Sequence, residues 1–238
     1  LAAIVAFASG FGSRFADDVG TSSKPLLSYS VSEEHPECGT PTFLPESEAT
    51  EVLHGKVPEH WESLGGRPQA ALVGFDTVEV SVQGESNRAI TLTGIEFEVT
   101  RQPIPPGDSF AKPCGGPGIG RSISVDLDRN PPQILSSNRD PKAMTGSELN
   151  GRGEPTPIHF PWTVSLTDPL LLYVIAETKS CYCEWSARIP WVSGDQRGTI
   201  NVDEENHGLR VVGENGYAQY LPALESSHPL RWEQFDYP

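Results

Sequence analysis

Methionine and basic residues are scarce: the 238-residue chain holds one Met against five Trp, and 17 Lys and Arg against 32 Asp and Glu, a formal net charge of −15. No cluster of Lys or Arg occurs along it. A phosphate backbone is bound through clustered cations, so nucleic acid is excluded as the partner of this segment. Asn-X-Ser/Thr sequons are missing, and so are Cys-X-X-Cys pairs and histidines at zinc-finger spacing from a cysteine. Without that spacing no metal site is expected, and the sequence calls for no cofactor. The opening "LAAIVAFASGFG" offers about eight apolar residues, whereas a membrane-spanning helix takes about 20.

Gly (23) and Pro (22) are abundant, and 37% of the residues are hydrophobic, which suits one domain with a proper core and many turns. Residues 1–21 read as a membrane-exit segment or linker, because the flank that follows, "ADDV" and then "SEEHPE", is acidic as on the outer side of a membrane. Residues 22–68 are rich in Pro, Glu and Ser and read as an irregular, disulfide-tied arm, with at most one helical turn at "HWESLGG". Residues 69–213 carry strand periodicity, and residues 214–238 lose it and read as a tail that wraps or dangles.

The strand signal is specific. In "TVEVSVQG", Val78, Val80 and Val82 share one face, and "GESN" offers a hairpin turn to the next strand. In "AITLTGIEFEVT", Ile90 and Leu92 are even-numbered but Ile95, Phe97 and Val99 are odd, so the phase slips at Gly94, where a one-residue bulge would return all five to the core. "RSISVDLD" turns Ile123, Val125 and Leu127 inward, and "PWTVSLTD" does the same with Trp162, Val164 and Leu166. "PLLLYVIAE" is apolar on both faces, as a central strand is. "CYCEWSARI" places Cys181, Cys183, Trp185, Ala187 and Ile189 on one face, and "RGTINVDEENHGLRVVG" reads as a final hairpin turning at "ENHG". About eight short strands predict an all-β, antiparallel β-sandwich.

Four cysteines remain to be placed. Cys181 and Cys183 are two apart on a predicted strand, where such residues lie roughly 6.5–7 Å apart at Cα, at or beyond the limit for a bridge. They are expected not to pair with each other. Each then reaches Cys38 or Cys114, which leaves two connectivities open and implies an oxidising compartment outside the cytosol.

The candidate chemistry is thin. "GDSFAKPCGGPG" carries the ingredients of a serine-protease signature, but Phe110 follows Ser109, and none of His35, His54 or His60 stands in a catalytic context, so Ser109 reads as part of a connection. Asp203, Glu205 and Gly208 miss EF-hand spacing and read as a charged turn, and Asp126 and Asp128 as a solvated strand face. Glu79, Glu96 and Glu98 could line one sheet face at separations suited to glycoside hydrolysis. Among Trp61, Trp162, Trp191 and Trp232, the pair Trp191 and Trp232 is the candidate ligand surface, because one core does not need all of them.

The order "ECGTPTFLP", "PEHWESLGG", "CGGPGIGRSISVDLD" and "CEWSARIPWVSGDQRGTINVDEENHGLRVVG" resembles the extracytoplasmic C-terminal domain of actinobacterial single-pass membrane proteins, some of which carry a cytoplasmic helix-turn-helix region. The family has no defined activity. The resemblance implies that Cys114 bridges Cys183, with Cys38 and Cys181 as the second pair. The expectation is a non-catalytic interaction or sensing module, membrane-anchored or secreted, with an unknown cell-envelope ligand or protein as partner and membrane contact through the N-terminal segment only. The alternative is a secreted carbohydrate-active or hydrolytic enzyme using surface carboxylates.

Overall fold

The computed structural model describes residues 14–15, 26–33, 41–54, 64–111, 121–135, 156–203, 208–214, 216–222 and 232–235. In chain order the strands are β1 (Arg14–Phe15), β2 (Leu27–Glu33), β3 (Thr42–Pro45), β4 (Ala71–Val73), β5 (Phe75–Gly84), β6 (Ile90–Leu92), β7 (Glu96–Gln102), β8 (Gly107–Phe110) and β9 (Arg121–Asp126). They continue with β10 (Gln133–Leu135), β11 (Thr156–Pro157), β12 (Trp162–Val164), β13 (Leu170–Glu177), β14 (Tyr182–Ser193), β15 (Gln196–Val202), β16 (Leu209–Val212), β17 (Ala218–Pro222) and β18 (Trp232–Phe235). One helix, α1 (Glu46–Leu53), follows β3.

Two sheets face each other as a sandwich. The first runs β1-β2-β5-β13-β9-β10, with β11 also on β9; the second runs β12-β6-β14-β16-β4-β3-β8-β17-β18, with β7 and β15 also on β14. The fold is all-β, but its sheets are mixed: β13–β9, β11–β9, β16–β4 and β17–β8 are parallel. The main core lies between the sheets, where alternation turns Val78, Val80 and Val82 of β5 toward Trp185, Ala187 and Ile189 of β14. Burying each large apolar side chain here stabilises by about 1.5–3 kcal/mol. β13 is central, between β5 and β9, as its two apolar faces require.

The slip at Gly94 is a one-residue insertion. Leu92 pairs with Trp191 and Glu96 with Arg188, so four steps along one strand match three along β14. Ile90 and Leu92 are fully buried, and Ile95, Phe97 and Val99 pack on the same core from a half-buried position.

Several expectations are corrected. Within its described residues the arm carries regular elements. β2 pairs with β5 over seven residues, and β3 pairs with β4 and β8. Around β3 stands a second small lobe, in which Leu44 faces Ala49 and Val52 of α1 while Phe43 faces Tyr182 and Val212. The tail contributes strands too, because β17 continues the sheet beside β8 and β18 pairs with β17. "GESN" makes no hairpin, since β5 and β6 belong to different sheets. β15 and β16 do not form a hairpin with each other. Both pair with β14, β15 along Ala187–Ser193 and β16 along Tyr182–Trp185, so they lie end to end on one edge of it. Leu166 is 45% exposed rather than inward, because the chain turns after Val164.

Among the described residues no helix is long and apolar enough to cross a membrane. Most of the expected membrane-exit segment lies outside the described residues, as do Cys38, Trp61, Cys114 and Glu205.

Candidate functional site

A cluster of polar and sulfur side chains sits where β13 hands over to β14. Cys181 and Cys183 are joined by a disulfide, with their Cα atoms 5.4 Å apart. This overturns the expectation that they avoid each other, and with it the pairings of Cys114 with Cys183 and of Cys38 with Cys181. The reason is local: Cys181 precedes β14 and ends a turn, so the backbone from Cys181 to Cys183 is shorter than an extended strand and falls inside bridging range.

Asp128 sets that turn from 50 residues away. One carboxylate oxygen accepts from the Thr178 hydroxyl at 2.7 Å and the Ser180 hydroxyl at 2.8 Å, and the other from the Lys179 N–H at 2.8 Å. Burial alone would push the Asp128 carboxyl up, but these bonds to its charged form prevail and hold it below the usual carboxylate range. Asp126 turns its own chain inward, accepting from the Asp128 N–H at 2.9 Å. Both aspartates are therefore scaffold, rather than a merely solvated strand face.

Thr178 Oγ1 also accepts from the Cys181 N–H at 3.3 Å and lies 3.0 Å from Cys181 Sγ. Gly213 closes the corner. Its N–H donates to the Cys181 carbonyl at 2.9 Å, and a Cβ there would strike the backbone of Lys179 and lie 2.8 Å from the Ser180 nitrogen, so only glycine lets the two segments meet. Across the sandwich end, Arg101 donates to the carbonyls of Leu127 and Arg129. Cys183 is fully buried and Cys181 nearly so, in the same core as Trp185.

A second cluster joins α1 to β8. Arg67 lies 3.5 Å from Glu51 and 4.0 Å from Glu48. Burial raises the Glu48 carboxyl despite Arg67, and burial raises Asp108 as well, opposed by a hydrogen bond from the Ala218 backbone and assisted by the charge of Glu46. Composition and motif spacing gave no hint of these two carboxylates, because each is perturbed by contacts made across the fold. Ser109, beside Asp108, is buried, with its Oγ 3.5 Å from the Ala218 carbonyl. "GDSF" is thus a strand, not a loop, and its serine faces backbone.

The remaining candidates disperse. Glu79 belongs to the first sheet, whereas Glu96 and Glu98 lie on β7 of the second, so the three do not share a face. Arg188 engages Glu98 at 2.6 Å and Glu96 at 3.9 Å. Trp191 is 1% exposed, which removes it from the ligand surface; its ring lies over Gly198, its cross-strand neighbour on β15. Trp232 is on β18, and its side chain lies outside the described residues. Trp162 is half-buried, with the Arg121 guanidinium 4.8 Å above its ring. No group of three or more potential metal ligands occurs among the described residues. In comparisons with known proteins, no family model, curated protein or solved structure gives a significant match to this chain.

Proposed function

We propose that this chain is a disulfide-containing, non-catalytic interaction or sensing module displayed outside the cytoplasm, membrane-anchored or secreted. The observation that carries the reading is the buried Cys181–Cys183 bridge, since disulfides persist in oxidising compartments and are rare elsewhere. Two further features support it. The polar side chains of these clusters act on the fold itself: Asp128 on a turn, Arg101 on two carbonyls, and Ser109 beside a carbonyl. Glu96 and Glu98, two of the three carboxylates of the hydrolytic alternative, are engaged by Arg188. A regulatory role, and a cytoplasmic region preceding the segment, rest on the resemblance to actinobacterial membrane proteins.

The test is topological. A membrane-impermeant amine reagent applied to intact cells of the native host is expected to modify the exposed Lys179. Modification only after lysis would place the module inside and overturn the reading. The hydrolytic alternative is tested separately, by assaying the purified chain on cell-wall polysaccharides beside a Glu48→Gln/Asp108→Asn variant. Turnover abolished by that variant would replace the binding reading with an enzymatic one.

A further inference from the structure

β15, seven residues long, forms an edge of the second sheet. Among the described strands β15 pairs with β14 alone. The direction of the backbone groups that β15 does not give to β14 follows from a proline. Pro190, opposite Thr199, accepts the Thr93 N–H at its carbonyl at 2.9 Å, so its backbone polar groups point toward β6 and away from β15. In an antiparallel ladder hydrogen-bonded and non-hydrogen-bonded pairs alternate, which makes Pro190 and Thr199 a non-bonded pair. The N–H and C=O of Thr199 therefore point outward, and by the period of two so do those of Arg197 and Asn201. An outward row of this kind is a template for another strand unless charge, proline or brevity guards it.

Other edges are guarded. β1 and β11 have two residues, β10 and β12 three, and β18 four. β7 has seven, but it carries Glu96 and Glu98 on its solvated face and is followed by Pro103 and Pro105. β15 has seven residues and no proline. Its solvated face is self-complementary. Pairing two copies antiparallel about Ile200 sets Thr199 opposite Asn201 of the partner subunit, and Arg197 opposite Asp203 of the partner subunit. The same pairs recur by symmetry, so opposite charges meet twice in a chain whose overall charge opposes association.

We propose that a second copy of this chain docks on β15, joining the two second sheets into one continuous sheet across a twofold axis. A single strand edge buries less than a standard interface, so the dimer is weak, with a Kd on the order of 10–100 µM. Sedimentation velocity of the full chain from about 5 to 500 µM, at about 0.15 M salt, is expected to show monomer converting to dimer. Thr199→Pro removes an outward N–H without removing a bond to β14, and is expected to weaken dimerisation at least tenfold. Arg197→Asp and Asp203→Arg are each expected to weaken it, and their combination to restore it, which keeps the proposal testable if the proline variant does not fold. A wild-type chain that stays monomeric throughout overturns the proposal. So does a dimer that survives Thr199→Pro, or a double charge reversal that restores nothing.

Discussion

The indole Nε1–H of Trp185 on β14 donates to Oδ2 of Asp76 on β5 at 2.8 Å, joining the two sheets inside the core. Both side chains are buried, Asp76 completely, and Phe97 packs against the indole with ring centroids 6.3 Å apart. A buried hydrogen bond to a carboxylate is costly to break from one side, because the other group is left in a dry environment. Trp185→Phe and Asp76→Ala are each expected to destabilise by about 2–4 kcal/mol. In urea melts the double variant should cost clearly less than the sum of the two, and strict additivity would deny the coupling.

Asp128 makes stability depend on acid. Its carboxyl is held below its ordinary value in the folded chain, so its contribution is present above the unfolded pKa, near 3.9, and is lost as pH falls through the lower folded value. Asp128→Asn removes the charge and leaves one acceptor oxygen where the carboxylate offers two to Thr178, Lys179 and Ser180. It is expected to cost about 1–2 kcal/mol at pH 7, a modest figure because the site is partly solvated. The gap between wild type and variant should narrow as the pH drops below about 4. A gap constant from pH 7 to pH 2.5 would show that the carboxylate charge does not hold the turn.

Gly198 and Trp191 test the packing that removed Trp191 from the candidate ligand surface. A Cβ at Gly198 would meet Trp191 ring atoms at 2.6, 2.7 and 2.8 Å, and the buried indole has little room to withdraw. Gly198→Ala is expected to lower stability by about 1–3 kcal/mol in urea melts. An unchanged midpoint would mean that the indole can move aside.

The sandwich was legible in the sequence where a strand buries one face only. β5, β9 and β14 each announce themselves through period-two alternation, and the parity change at Gly94 became a real insertion against β14. Pairing was not legible. β17 runs beside β8 over a separation of about 110 residues, and nothing local marks such a partner. "GDSF" follows "PIPP" and reads as a loop, although Ser109 and Phe110 are buried between β3 and β17. α1 escaped notice because only Ala49 and Val52 of its eight residues are buried, too few to set a helical period. The bridge was hidden for a related reason: the turn that shortens Cys181 to Cys183 is held by Asp128, far away in sequence.

A paired Cys181 and Cys183 leave Cys38 and Cys114, which lie outside the described residues, with only each other as partners in the chain. Non-reducing peptide mapping is expected to recover a cross-linked species joining these two cysteines. Free thiols at both positions would contradict the expectation.

The central claim, a buried bridge formed in an oxidising compartment, is tested most directly by trapping thiols in the native host. Cells are quenched in acid, free thiols alkylated, and the protein digested with trypsin, which releases Ser180–Arg188, "SCYCEWSAR", with both cysteines in one peptide. The account predicts that this peptide is recovered unalkylated and two mass units lighter than its reduced form. Recovery with both cysteines alkylated would contradict the bridge and remove the basis for placing the module outside the cytoplasm.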